Sequence, residues 1–270
     1  MKYTKVLNNF DHIPLMLDVV GKMIIKWRDD LEAKKILSEQ DFKTEADLRA
    51  HKYISHQLSV LYPSTVIISE EDSTHTTIRP DKYWLIDPID GTASWHNGFD
   101  GFVTQVAYIE NNIPIYGAIH APILKKTWTA TRGGGAYLNG KELLKLEENN
   151  RLIFIDNTKY PHGILKEIMH SLRSTDYIEC GSLGLKSVFV ADGTADLFFK
   201  DVCVRDWDLA PAMVILNEVG GILTQLDGMP YLFYGDYMKK DGFIVARSQQ
   251  ALDKVITYLK KNQGTYEKSS

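Results

Sequence analysis

Six consecutive residues, Asp87-Pro88-Ile89-Asp90-Gly91-Thr92, put two carboxylates, a hydroxyl and a backbone carbonyl within one tight turn. They follow the apolar run Tyr83-Trp84-Leu85-Ile86, which reads as a strand. Hard oxygen donors at this spacing suit Mg2+, which takes octahedral oxygen ligands and dehydrates reluctantly, keeping positions open for water and phosphate. Chemistry on a phosphate is therefore the first expectation. Asp, Pro and Gly also make ordinary turns for conformational reasons alone, so the hexapeptide takes its weight from two further acidic clusters. Val66-Ile67-Ile68 runs into Ser69-Glu70-Glu71-Asp72, and Arg205-Asp206-Trp207-Asp208 opens a segment read as amphipathic. Acids at strand and helix ends, far apart in the chain, are what a folded multi-carboxylate site requires.

The elements that must carry them follow from periodicity. Ile13, Leu17, Val20, Ile24 and Trp27 recur at helical spacing within residues 10–31, and a second helix is predicted over 45–61. Alternating runs at 102–109, 113–120 and 127–131, divided by turns such as Asn111-Asn112, predict an antiparallel meander stacked on those helices. Beyond the polar stretch 147–150, short strands (152–155, 177–180, 196–199, 243–246) alternate with helical segments (162–172, 183–191, 209–219, 248–259). The expected organisation is α/β in two parts: residues 1–148, with helices and an antiparallel sheet carrying most of the acids, and residues 149–270, a mixed layer carrying Asp208. Gly133-Gly134-Gly135 imitates a phosphate loop, but the strand-and-turn residues 136–140 after it predict a hairpin.

A chain of 270 residues, 44% of them hydrophobic, can bury a large core. The net charge of -4 and scattered Lys and Arg argue against a nucleic-acid polymer as partner. No membrane-length apolar run and no signal-peptide core are present, so a cytoplasmic location and no membrane partner are expected. Cys180 and Cys203, both in strand-like surroundings, are expected to be buried free thiols. His96 and His120 have no partner at ligand spacing, and structural or surface roles are expected for them.

Taken in order, Ser69-Glu70-Glu71-Asp72, Asp87 to Thr92, Trp207-Asp208-Leu209-Ala210-Pro211 and Glu218-Val219-Gly220-Gly221 resemble the inositol monophosphatase superfamily of magnesium-dependent, lithium-sensitive phosphatases. The resemblance implies the five-layered αβαβα sandwich of the inositol monophosphatase and fructose-1,6-bisphosphatase type. It implies two or three Mg2+ ions per active site, with Glu70, Asp87 and the Ile89 carbonyl on the first and Asp87, Asp90 and Asp208 on the second. Crowded carboxylates would otherwise repel and stay partly protonated. The resemblance assigns Asp47, Glu70 and Thr92 to catalysis, with Thr92 and Asp47 orienting and deprotonating a water, and assigns phosphate to the amides of Gly91, Thr92 and Ala93. Thr44-Glu45-Ala46-Asp47 also fits a helix capping box, a role compatible with the catalytic one. The family allows a homodimer.

Substrate contacts are expected at Ser182, Lys186 and Lys200. Lys200 stands where inositol-phosphate enzymes usually carry a glutamate, and a cation there would receive a second anionic group. Together with Ala46 to His51 and Gly181-Ser182, this resembles the bisphosphate nucleotidase branch and points to a small phosphorylated metabolite such as 3'-phosphoadenosine 5'-phosphate. Inositol-1-phosphate is the alternative; Lys186 and Lys200 read equally as ordinary solvated lysines. A non-catalytic relative would carry a broken acid set, whereas Glu70, Asp87, Asp90, Thr92 and Asp208 are all present. Two departures from the family stand out. Glu39-Gln40-Asp41-Phe42-Lys43 replaces the usual lysine and serine-proline-valine run, which bears on a third ion and on lithium, and Ala93 to Asn97 lacks the lysine-glutamate-phenylalanine of many bacterial bisphosphate nucleotidases.

Overall fold

Helix α1 (Ile13–Trp27) carries Pro14 in its first turn, where a missing N–H breaks no helical bond. It buries Ile13, Leu17, Val20 and Ile24 along one face and leaves Leu15 exposed. Helix α2 (Glu45–Leu61) buries Ala46, Ala50, Ile54 and Leu58 at a spacing of one turn. The chain is described by a computed structural model over residues 10–39, 42–75, 78–149 and 152–262.

Both helices lie on one face of a seven-stranded sheet whose strands follow chain order: Val66–Ser69, Lys82–Asp90, Val103–Glu110, Ile113–Ala121, Lys126–Thr131, Ala136–Leu138 and Lys141–Glu142. The predicted meander is there, and Gly133 to Gly135 turn an antiparallel hairpin within it. Only the first pair is parallel, and that exception builds the site. Its register sets Ser69 opposite Ile86, so Glu70 and Asp87 leave neighbouring strands at the same end. The register then slips between Asp87 and Asp90, which pair with Gln105 and Val103. Residues three apart on a regular strand face opposite ways; one extra residue turns both acids to one side.

A short helix α3 (Thr92–His96) follows the bulge. The second half holds α4 (Gly163–Ser171), α5 (Leu183–Ala191), α6 (Asp206–Val219) and α7 (Gln249–Lys261) around a five-stranded sheet. Its order is Tyr177–Glu179, Phe154–Asp156, Leu197–Lys200, Phe243–Ala246, Ile222–Thr224, with the first three strands parallel. Helices α5 and α6 fill the space between the two sheets, and α4 and α7 cover the outer face. The layers are therefore α1 with α2, sheet, α5 with α6, sheet, α4 with α7: the expected αβαβα sandwich.

Two expectations are corrected. Helix α6 begins at Asp206 rather than 209 and is buried on nearly every side rather than amphipathic, because it is the central helix between two sheets. It approaches the sheet so closely that a Cβ on Gly117 would overlap the Pro211 backbone. Cys180 is a buried free thiol, but Cys203 is exposed, since it sits in the turn after Lys200 and not within a strand. Among the described residues no helix is long and apolar enough to cross a membrane.

Candidate active site

Asp47 and Asp208 reach the site by one local device. Each is the third residue of its helix and accepts a hydrogen bond from the amide of the capping residue: Thr44 N to Asp47 Oδ2 at 2.9 Å, Arg205 N to Asp208 Oδ2 at 2.7 Å. An acid there also meets the positive end of the helix. The Thr44 hydroxyl donates to the same Asp47 Oδ2 at 2.5 Å, and Thr92 Oγ1 lies 2.9 Å from the other oxygen, Oδ1. The capping contacts and the Thr92 contact thus use one oxygen each. Thr92 Oγ1 is also 2.9 Å from the Ile89 carbonyl, and with a single proton it serves one acceptor at a time.

Asp90 is clasped by the start of α5. Ser182 Oγ donates to it at 2.6 Å, Gly184 N at 2.5 Å and Leu183 N at 3.1 Å. A Cβ on Gly184 would press on Gln105 Oε1 and come within 3.0 Å of Asp90 Oδ2, so glycine leaves both side chains where they are. Gln105 Nε2 bridges the two acids of the bulge, 3.3 Å from Asp87 Oδ2 and 3.4 Å from Asp90 Oδ2. The remaining oxygen of Asp87 is buried without a hydrogen-bond partner among the described residues. The turn bearing Glu70 is fixed from three sides: Ser69 N donates to Asp72 at 2.8 Å, His51 Nδ1 lies 2.8 Å from Ser69 Oγ, and His75 Nε2 lies 2.7 Å from the Ser69 carbonyl.

These acids share one electrostatic neighbourhood. Burial drives Asp87 and Asp208 well above the usual carboxylate range, and the charges of Glu70 and Asp90 push each further. Burial lifts Glu70 to about 7; Lys43 and Arg205 hold it down while Asp47 and Asp90 add to the rise. Asp90 is raised by burial despite its three donors, and Asp47 is raised for the same reason. Among the described residues, no three Asp, Glu, His or Cys side chains present their atoms at the spacing of a single ion. Asp90 turns its oxygens to the α5 amides, and Asp208 turns Oδ2 to Arg205 N. The donor set still fits a hard divalent cation: oxygen throughout, with Asp87 Oδ1 an unsatisfied buried acceptor.

At the turn expected to bind phosphate, Gly91 caps α3 in the left-handed region (φ 91°), where a Cβ would sit 3.0 Å from the Gly101 carbonyl. The first bond of α3 is Trp95 N to Gly91 O, so the amides of Thr92 and Ala93 precede the helical ladder. Ser182 is buried and committed to Asp90. Lys186 is buried one turn on, donates to the Gly181 carbonyl at 2.9 Å, lies over the Phe198 ring and is lowered to about 8 by burial. Lys200 pairs with Asp156 and donates to Asn157 Oδ1 at 2.9 Å. Of the three residues expected to contact substrate, only Ser182 is bonded to Asp90; Lys186 and Lys200 sense each other's charge and that of Asp156.

Sequence reasoning passed over Lys43, Gln105, Asp156 and Arg205. Gln105 was findable, being a lone amide inside the apolar run 102–109. The triple glycine does hold an anion, but the anion is the chain's own: Gly133 N and Gly135 N donate to the Glu218 carboxylate at 2.7 and 2.9 Å. His120 is structural, buried with Nδ1 2.8 Å from Thr127 Oγ1, and His96 meets the edge of Phe42.

The sequence matches the model of the inositol monophosphatase family over residues 18–263. This chain belongs to that family. A 3'(2'),5'-bisphosphate nucleotidase CysQ of Aggregatibacter actinomycetemcomitans is 33% identical over 211 residues, covering 74% of this chain and 77% of that one. A fructose-1,6-bisphosphatase/inositol-1-monophosphatase of Thermotoga maritima is 32% identical over 219 residues, covering 80% and 84%. The solved structure of a Thermotoga maritima IMPase shares the fold, with a TM-score of 0.78 and 25% identity over 94% of this chain and 99% of that one. Members of the inositol monophosphatase family are phosphatases, and this chain is a phosphoric monoester hydrolase. Relatives named for nucleotides and for inositol phosphate match at comparable identity, so substrate choice has to be argued from the site.

Proposed function

We propose that this phosphatase depends on Mg2+ and releases phosphate from a small bisphosphorylated nucleotide, 3'-phosphoadenosine 5'-phosphate or a close analogue. The observation that carries the metal part is the buried, unpartnered Asp87 Oδ1 amid Glu70, Asp90 and Asp208. Glu70, Asp87 and the Ile89 carbonyl would hold one ion, and Asp87, Asp90 and Asp208 a second; when bound, such ions supply an activated water and steady the leaving oxygen. The chain's own residues do the rest. Thr92 Oγ1, between Asp47 and the Ile89 carbonyl, orients the water, and Asp47 takes up its proton through that hydroxyl. Amides from Gly91 to Ala93 bind the phosphate oxygens. Ser182 is committed to Asp90 and Lys186 to the Gly181 carbonyl, which leaves Lys200 as the specificity contact.

The nucleotide preference rests on Lys200 as a cation for the second phosphate. A second reading, inositol-1-phosphate, is favoured by the ion pair of Lys200 with Asp156, since a neutralised pair flanked by Asn157 suits hydroxyls better than an anion. Phosphate release from the two compounds, with wild type and Lys200→Glu, separates them. Loss of nucleotide turnover with inositol phosphate turnover retained supports the first reading; an unchanged preference removes it.

A further inference from the structure

Lys43 stands immediately before the cap of α2, on a two-residue strand (Lys43–Thr44) paired with Ile36–Ser38. That pairing fixes its backbone. Its ammonium donates to the Glu70 carbonyl at 2.5 Å and lies 3.4 Å from Glu71 Oε1. Glu71 is half-buried, with its side chain 6% exposed. Phe42 beside it takes a positive φ of 48° and packs its ring edge-on against His96 of α3. Phe42 and Lys43 together therefore span from the Glu70 turn to the helix that opens at Thr92, and Lys43 adds a cation, alongside Arg205, to a neighbourhood rich in acids.

We propose that Lys43 is a positioning residue of this site, a fixed positive charge that weakens the hold of the acid cluster on divalent cations and strengthens its hold on the phosphate group. The proposal rests on the metal-dependent reading above. A point charge acts on both ligands through space and with opposite sign, while a merely structural lysine would affect both in the same direction. Its contact with the Glu70 carbonyl keeps the ammonium beside the residue whose carboxyl it holds down.

The test uses the full chain with Lys43→Met and Lys43→Arg, titrated with Mn2+ alone by electron paramagnetic resonance and then, at saturating Mg2+, with inorganic phosphate as a competitive inhibitor. Lys43→Met should bind Mn2+ about tenfold more tightly and phosphate about tenfold more weakly, with Lys43→Arg close to wild type in both. If Lys43→Met does not fold, Lys43→Gln removes the same charge for the same titrations. Both affinities falling together, or neither changing, overturns the proposal. Wild type that binds no Mn2+ overturns the metal reading itself, and is told apart by failing before any variant is compared.

Discussion

Asp87→Asn should make the metal-free protein more stable while destroying its activity. Asp87 is almost fully buried, one oxygen is unpartnered, and Glu70, Asp90 and Asp208 all bear on it. An amide keeps the shape and can still accept from Gln105, but carries no charge. Relieving a buried, uncompensated carboxylate contributes about 2 kcal/mol, which in a chain of this size raises Tm by about 5 °C. In wild type, Mg2+ at about a hundred times its Kd adds about 2.7 kcal/mol, and the variant loses most of that. Calorimetry at about pH 8, where free carboxylates are ionised, should therefore show the two proteins exchanging rank: variant above wild type in EDTA, below it in Mg2+, with turnover reduced by orders of magnitude. A variant that melts lower in both buffers, or that gains as much from Mg2+ as wild type, refutes the reasoning.

The raised acids also set a pH dependence. Glu70, Glu71, Asp87 and Asp208 bind protons more tightly folded than unfolded, so the metal-free protein loses stability as pH rises toward and through about 7. Glu71 alone, lifted by burial to about 7 and 6% exposed, contributes about 3 kcal/mol to that loss. Denaturant melts in EDTA from pH 5 to pH 8 check it, and a flat or rising profile contradicts it. The buried pair of Arg79 and Asp206 fixes the start of α6 two residues before Asp208. Arg79→Met should cost about 3 kcal/mol, softened by Tyr231 and Lys239 beside Asp206, and should weaken Mn2+ binding; adding Asp206→Asn should restore much of the stability.

Much of the fold was legible because long periodic segments dominate it. Helix 45–61 is bounded by a capping box and lies where its pattern places it, and the meander alternates with turn residues between its strands. What escaped was set by tertiary pairing. Val204–Arg205 with Met238–Lys239 is too short to show a period, and α6 hides its start because it is buried on nearly every side. The acids of the site were readable as residue types at element ends. Their convergence was implied by the family resemblance alone and not by residue pattern, since it depends on a parallel pairing of strands and a one-residue bulge between Asp87 and Asp90. The ion pair on Lys200 was invisible for the same reason: Asp156 stands 44 positions away, joined to it only by neighbouring parallel strands.

The proposed phosphatase chemistry depends on these remote acids acting together as a divalent cation site. Crystals grown with Mn2+ and measured at its absorption edge give the most direct test. Anomalous peaks should lie within bonding distance of Glu70, Asp87, the Ile89 carbonyl, Asp90 and Asp208, with Asp90 or Asp208 turned from the amide that now holds it. Peaks elsewhere, or none, in a protein whose phosphatase activity persists in EDTA would contradict it.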